Sequence, residues 1–475
     1  MNMLLAFQLL GWLLVVLAAF QILPIAAAVF YGEPTLPFWF SAGVTVICGL
    51  PVALGVRPTS LRVRPRDGFF MVSASWIAAS LFGALPYVTT GSLSGVDALF
   101  ESVAGFTTTG STVYTAIETQ ARSLLLWRSL TQWLGGMGIV LFTVALMPLL
   151  GIGGMQLFKA EVPGPVAEKI RPRVAETARQ LWMIYVGLTA AEWLALTWAG
   201  MSGYDALCHA LTTLSTGGFS TRDASVAAFE SPAIEWIVIV FMMLAGMNFV
   251  LHYRLITGRV ASVWQDTELR YFGGIVVVAS AVVALNIGFG DHALRESVFQ
   301  VVSLVTTTGY ATADYEAWPG FAQLLLLHMM ILGAMSGSTS GGVKSLRVVL
   351  GFRALRAAFA VVGHRNAVRP VVRYGGRPVP SEVVAGIWAF FAAYAGLVAA
   401  SALAVAAAGY DPLTAISSAL TAVGNVGPGL ADVGPADNFA HFPVGVKLLL
   451  SGCMIAGRLE LFTLLVLFTP GFWRR

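Results

Sequence analysis

The sequence is poor in charge. Only 11% of its 475 residues are Asp, Glu, Lys or Arg, about half the share found in an ordinary soluble protein. Together with 57% hydrophobic residues and a mean hydropathy of +0.78, that shortage excludes a water-soluble globular enzyme. A surplus of one sign is also missing: 28 Lys and Arg face 24 Asp and Glu, a formal net charge of +4, too small for a nucleic-acid binder. Cysteine is scarce. Cys48, Cys208 and Cys453 lie far apart inside apolar runs with no CxxC and no neighbouring His cluster, so small core roles are expected rather than disulfides or zinc. The chain carries no GxSxG, HExxH or Walker motif, so neither catalytic chemistry nor a resident cofactor is expected. The stretch GSTSGGVK, residues 337–344, lacks the spacing and the preceding strand of a phosphate-binding loop.

Glycine and long apolar runs are abundant. Ten candidate spans fall near residues 4–30, 36–56, 69–89, 127–149, 181–201, 233–253, 271–290, 320–350, 383–409 and 444–469, each able to cross a hydrocarbon core of roughly 30 Å. The first is read as a span and not a signal peptide, because Met1 to Gln8 has no basic residue and nothing soluble follows. The connections sort by charge. Arg57, Arg62, Arg64 and Arg66 follow span two, Lys159, Lys169, Arg171, Arg173 and Arg179 follow span four, and Arg254, Arg259 and Arg270 follow span six. Eight bases and no acid lie between Lys344 and Arg377, and Arg474 and Arg475 finish the chain. These regions are expected in the cytoplasm, with both termini. The opposite connections carry Glu118, Asp223, Glu230, Asp291, Asp314, Glu316, Asp432 and Asp437 and would draw cations toward an outer entrance.

Each outward connection after span three also holds a semi-apolar stretch too short to cross and too apolar for an exposed loop, at 94–106, 205–214, 294–305 and 411–423. Such stretches read as re-entrant half-helices. Each runs into a glycine turn: TTTGS, STGGF, TTTGY and GNVGP. The aligned Gly110, Gly218, Gly309 and Gly427 are 108, 91 and 118 residues apart, and Asp97, Asp205 and Glu296 each stand 13 residues before their glycine. The fourth copy has Thr414 at that offset. Four copies of span, half-helix, turn and span follow. A dehydrated ion needs a shell of oxygens, which backbone carbonyls supply without a buried carboxylate. Half-helices entering from outside end with their negative dipole toward the ion, which favours a cation.

The motifs ESVAGFTTTGST (101–112), SLTQWLGGMGIV (129–140), LSTGGFSTRD (214–223), VTTTGY (305–310), MSGSTSGGVKSLR (335–347), VGNVGPG (423–429) and GRLE (457–460) resemble the TrkH/TrkG/KtrB superfamily of potassium uptake proteins, most closely the TrkH branch. The resemblance covers nearly the whole chain. It implies an all-α polytopic membrane protein, with four pseudo-symmetric span, pore-helix, span repeats around one potassium path and two extra spans ahead of them. The units are two N-terminal spans in 1–60, repeats in 69–150, 180–257, 270–350 and 383–470, and a basic cytoplasmic linker at 351–382. It further implies a homodimer in a bacterial inner membrane, gated by a cytosolic TrkA-type partner that binds nucleotide. Carried over by motif, the filter comprises Thr108, Thr109, Gly110, Thr216, Gly217, Gly218, Thr307, Thr308, Gly309, Asn425, Val426 and Gly427. The carbonyls of Thr109, Gly217, Thr308 and Val426 are expected to hold K+. No turn is the TVGYG of tetrameric channels, so weaker discrimination against sodium is expected.

Span eight is broken by Gly333, Ala334, Met335, Ser336, Gly337, Ser338, Thr339, Ser340, Gly341 and Gly342, a run too rich in Gly and Ser for a quiet helix in lipid. It is read as a loop projecting into the pore below the third turn, the position of the family's intramembrane gate; a kink packed on another helix is the alternative. Arg458 interrupts the last span and needs acceptors or water. A pore-wall position beneath the filter, limiting cation flux, stands against snorkelling or bonds to loop carbonyls alone. Glu460 is a possible counter-charge, although two positions along a helix it faces elsewhere. Lys344 and Arg347 are expected at the cytoplasmic end, available to lipid phosphates or a partner. A proton- or sodium-coupled symporter and a passive membrane scaffold are the rival classes; Glu192, a membrane-embedded acid, is read as an interhelical structural contact before a proton carrier.

Overall fold

Inside lipid, backbone groups must bond within their own segment, so the apolar runs become helices. The computed structural model describes residues 2–58, 64–145, 170–288, 290–363 and 371–474. Its helices are α1 (Met3–Phe20), α2 (Ile22–Tyr31), α3 (Leu36–Gly55), α4 (Pro65–Gly83), α5 (Leu85–Thr89), α6 (Gly95–Phe106), α7 (Arg122–Ala145), α8 (Ile170–Trp198), α9 (Gly203–Leu214), α10 (Pro232–Gly246) and α11 (Phe249–Ile256). They continue with α12 (Val260–Trp264), α13 (Thr267–Ile287), α14 (Asp291–Val305), α15 (Gly320–Leu332), α16 (Ser345–Gly363), α17 (Ser381–Ala407), α18 (Pro412–Gly424), α19 (Val444–Arg458), α20 (Phe462–Leu465) and α21 (Pro470–Trp473). Between α16 and α17 a two-residue hairpin pairs β1 (Arg373–Tyr374) with β2 (Arg377–Pro378). It lies in the stretch read as a basic linker, and α16 itself runs into that stretch as far as Gly363. Of the basic residues used to assign sidedness, Arg62, Lys159, Lys169, Arg365, Arg369 and Arg475 lie outside the described residues, as do 146–149 of the fourth expected span.

Among the described residues, six helices are long and apolar enough to cross a membrane, or up to eight if each bent pair counts as one span. Large apolar side chains stay exposed along them, among them Phe30, Trp39, Ile47, Val277, Leu285 and Leu403, as a lipid-facing surface requires. Two of the expected spans are bent. α10 and α11 meet at 101°, and α19 and α20 at 109°. At the first break Asn248 leaves helical geometry and its side chain accepts from Val250 N–H at 2.9 Å, capping α11. At the second, Glu460 and Leu461 both take φ of 55°, which a continuing right-handed helix forbids.

Four short helices, α6, α9, α14 and α18, sit at the centre. Each packs between two flanking helices: α6 between α4 and α7, α9 between α8 and α10, α14 between α13 and α15, α18 between α17 and α19. Each is also covered by a helix of the preceding set. α7 packs on α9, α10 on α14, α15 on α18, and α19 on α6, so the sequence of contacts returns to its start. The two N-terminal helices α1 and α3 pack on each other outside this group, with α1 also against α4.

Candidate ion pathway

Two of the short helices begin with side-chain caps, and all four end in one shared geometry. Ser202 Oγ accepts from Asp205 N–H at 3.0 Å at the start of α9, and Asp411 Oδ1 accepts from Leu413 and Thr414 N–H at 2.8 and 3.1 Å at the start of α18. At the other ends Thr108, Thr216, Thr307 and Asn425 adopt left-handed φ of 52°, 52°, 58° and 56°. The following N–H then folds back five residues: Thr109 to Ala104 O at 2.9 Å, Gly217 to Thr212 O at 2.8 Å, Thr308 to Ser303 O at 2.8 Å and Val426 to Thr421 O at 3.0 Å. This is the Schellman closure of a helix. One residue further, Gly110, Gly218, Gly309 and Gly427 take φ of 83°, 76°, 82° and 108°, a region that L side chains avoid. Four turns of different sequence thus share one backbone path.

Those turns meet. A Cβ on Gly110 would stand 2.1 Å from Gly217 O, one on Gly218 1.9 Å from Thr308 O, one on Gly309 2.0 Å from Val426 O, and one on Gly427 2.8 Å from Thr109 O. Each glycine therefore abuts the carbonyl of the next turn, and the fourth abuts the first. The four oxygens are the ones expected from the sequence to hold an ion, and all twelve residues of the expected filter lie within these turns.

The side chains around the turns brace them. Thr107 and Thr306 hydroxyls bond those of Thr109 and Thr308 at 2.7 and 2.8 Å, which spends hydroxyls on support. Asn425 Nδ2 donates to Thr109 Oγ1 at 3.0 Å, tying the fourth turn to the first. Ser111 Oγ donates to Gly427 O at 3.1 Å across the same gap. Gln132 of α7 was not anticipated. Its Nε2 donates to Gly217 O at 2.7 Å and its Oε1 accepts from Phe219 N–H at 3.0 Å; an amide in the middle of an apolar span was the available signal. The carbonyl of Gly217 retains one lone pair beyond that bond.

Below the turns lies the segment between α15 and α16. Thr339 Oγ1 donates to Leu214 O at 3.0 Å, Gly341 N–H to Thr307 Oγ1 at 2.7 Å, and Gly342 N–H to Gly424 O at 2.9 Å, so its tip touches the ends of α9, α14 and α18. Ser338 and Ser340 bond each other at 2.9 Å within it, Gly337 O accepts from Phe249 N–H at 3.1 Å, and Gly333 and Ser336 lie at its base. Arg458 is 2% exposed. Its guanidinium donates to Thr339 O at 2.7 Å and to Gly135 O of α7 at 3.2 Å, while Nε is buried without a hydrogen-bond partner. It is buried beside the segment, not snorkelled to a surface.

Two neighbouring bases depart from expectation, while Glu460 faces away from Arg458 as its spacing implied. Glu460 pairs with Arg347 and not with Arg458, because the helix stops at Arg458 and the left-handed Glu460 turns away. Arg347 also lies 4.2 Å over the Phe390 ring. Lys344, at 6% exposure, donates to the carbonyl and hydroxyl of Ser340. Lys344 therefore braces the segment and Arg347 is held by Glu460 and Phe390, where a site open to phosphates or a partner was expected. Glu192 on α8 is fully buried and neither of its oxygens has a partner.

Toward the expected outer face several charges around the short helices are paired. Glu101 of α6 accepts from Arg128 of α7 at 2.8 Å, both being essentially inaccessible, and also from Thr112 and Val113. Arg128 reaches Ser220 O at 3.1 Å and lies 4.1 Å from the Phe219 ring, so this pair links the first two turns. Asp97 receives Lys447 at 2.6 Å. Asp205 receives Thr221 at 2.6 Å and Arg222 at 3.0 Å. Burial pushes the Asp205 carboxyl up, but bonds from Thr221, Ser202 and Arg222 outweigh it and hold it below the usual carboxylate range. Asp97, Asp205 and Thr414, three of the residues aligned 13 before a glycine, occupy the third position of their short helices, where a negative charge also favours the helix start.

These features define a polytopic helical membrane transport protein. The chain belongs to the TrkH family, described as cation transport proteins, whose model matches residues 40–474. It is 40% identical over 98% of both chains to the Trk system potassium uptake protein TrkH of Salmonella typhimurium, and 35% identical to TrkG of Escherichia coli K12 over 95% of this chain and 94% of that one. Its structure is similar to the crystal structure of the potassium transporter TrkH from Vibrio parahaemolyticus, with a TM-score of 0.91, 35% identity and 100% of both chains covered. The relatives are transport proteins and not enzymes.

Proposed function

We propose that this chain is the membrane subunit of a potassium uptake system and conducts K+ down its electrochemical gradient. In this reading ten spans make two N-terminal spans plus four span, half-helix, span units, and the four units surround one ion path. The carbonyls of Thr109, Gly217, Thr308 and Val426 replace water around K+ at the meeting of the four turns. The observation that carries it is the closed succession in which each turn's glycine abuts the next turn's carbonyl. Only a residue without Cβ permits that approach.

The segment containing Gly333, Ser336, Gly337, Ser338, Thr339, Ser340, Gly341 and Gly342 is the barrier beneath the turns, and Arg458 adds a fixed positive charge there. An inside-negative potential supplies roughly 2.3 kcal/mol per unit charge per 100 mV, ample to accumulate K+ without hydrolysis in this chain. Gating by a nucleotide-binding cytosolic partner of the TrkA type, assembly as a homodimer, and residence in a bacterial inner membrane with both termini cytoplasmic complete the proposal. The charge bias of the connections and the family membership support it.

The test is flux of K+, Rb+ and Na+ through purified protein in liposomes, with single-channel recording. Ohmic currents carried by K+ are expected. The buried, unpartnered Glu192 favours a second reading, proton-coupled symport; uptake that depends steeply on the proton gradient at fixed voltage, and loses that dependence in Glu192→Gln, would replace the first.

A further inference from the structure

The segment between α15 and α16 is an Ω-shaped excursion with a narrow neck. Val343 N–H donates to Ile331 O at 3.1 Å and Ser345 N–H to Ala334 O at 2.9 Å, and a Cβ on Gly342 would lie 2.9 Å from Gly333 Cα. Glu268, the second residue of α13 and 4% exposed, stands across that neck. A single oxygen, Oε1, accepts from Ser336 N–H at 2.7 Å on the incoming limb and from Ser345 Oγ at 2.8 Å and Leu346 N–H at 3.0 Å on the outgoing limb. The carboxylate thus joins the two limbs from a helix that belongs to neither. It also satisfies one of the free N–H groups at the start of α16, where the helix dipole favours an anion.

We propose that Glu268 is a positioning residue for the gate: it latches the neck and so holds the tip against the ends of α9, α14 and α18. This rests on the reading of the segment as the flux barrier. Withdrawal of the tip requires the limbs to move relative to one another, and that movement breaks charge-assisted bonds that converge on one atom. Without the carboxylate the part-buried Ser336 and Leu346 N–H groups lose their acceptor, and the closed arrangement loses its advantage.

The experiment is K+ flux and open probability of the purified full chain in liposomes. Glu268→Met keeps the length of the side chain but removes the acceptor, and is expected to raise flux about tenfold, the weight of one hydrogen bond to a charged group, with the potassium to sodium ratio unchanged. Ser345→Ala should give a smaller rise and add nothing to Glu268→Met, because the two residues act through one contact. Glu268→Met should also add nothing in a chain lacking residues 337–340. If that deletion raises flux while folded Glu268→Met stays at the parental level, the latch is wrong and the barrier stands. If neither raises flux, the barrier reading fails and takes the latch with it. Should Glu268→Met not fold, Ser345→Ala decides: a rise supports the latch, and parental flux overturns it.

Discussion

The carbonyl oxygen of Thr308 stands 1.9 Å from where a Cβ on Gly218 would be. With φ of 76° at Gly218, any side chain there must displace the neighbouring turn and strain its own backbone. Gly218→Ser is therefore expected to lower the potassium to sodium permeability ratio, by about tenfold if the displacement costs the roughly 1.4 kcal/mol that corresponds to that factor. Reversal potentials in mixed potassium and sodium read the ratio directly, and an unchanged value removes the turn from selectivity.

Each turn brings one carbonyl of the expected set to the common meeting place, and the adjacent hydroxyls are occupied with bracing. On the proposed reading, an ion at this meeting place finds a short ordered site and not several dehydrated sites in series. The protein should discriminate against sodium less sharply than channels with TVGYG filters. Bi-ionic potentials that exclude sodium as strictly as those channels do would contradict this.

Arg458 holds the segment between α15 and α16 through Thr339 O at 2.7 Å and α7 through Gly135 O at 3.2 Å. Arg458→Ala removes both the tether and the charge, and is expected to raise liposome cation flux several-fold, as is deletion of residues 337–340. Folded variants with parental or lower flux would show that neither feature limits permeation.

Arg128 and Glu101 form a sealed ion pair with 2.8 Å between Nε and Oε1. Arg128→Met leaves a buried carboxylate without its cation and should cost about 3–5 kcal/mol. Thermal unfolding in detergent checks this. A melting temperature close to the parent's would mean that Thr112 and Val113 suffice to hold Glu101.

Asp205, held below its ordinary value of 3.8, ties the start of α9 to Thr221 and Arg222. A carboxyl depressed in the folded state contributes stability above its unfolded value, and that contribution fades as pH falls through the folded one. Asp205→Asn should therefore melt lower than the parent at pH 7, with the gap closing below pH 3.8. A gap independent of pH would assign the loss to packing.

The central architecture was readable because its signals are local. Short apolar runs with polar starts and Thr–Gly exits fall at 94–106 and 205–214 by reading and at Gly95–Phe106 and Gly203–Leu214 in the structure. The break in span eight was equally plain from its glycines and serines. What escaped reading depends on partners distant in sequence: Gln132 with Gly217, Arg347 with Glu460, and Glu268 with the neck. The bends after Gly246 and Arg458 escaped because apolar composition does not record where a helix is capped.

The circular order of packing has a consequence for biogenesis. α7 can cover α9, and α10 can cover α14, as soon as each has emerged during synthesis, but α6 waits for α19, which is made more than 300 residues later. Until that last helix arrives, one side of the first short helix stays uncovered in the bilayer and Gly427 has not reached Thr109. A ribosome-bound nascent chain should therefore be electrically silent, which protects the cell from leak through half-built copies.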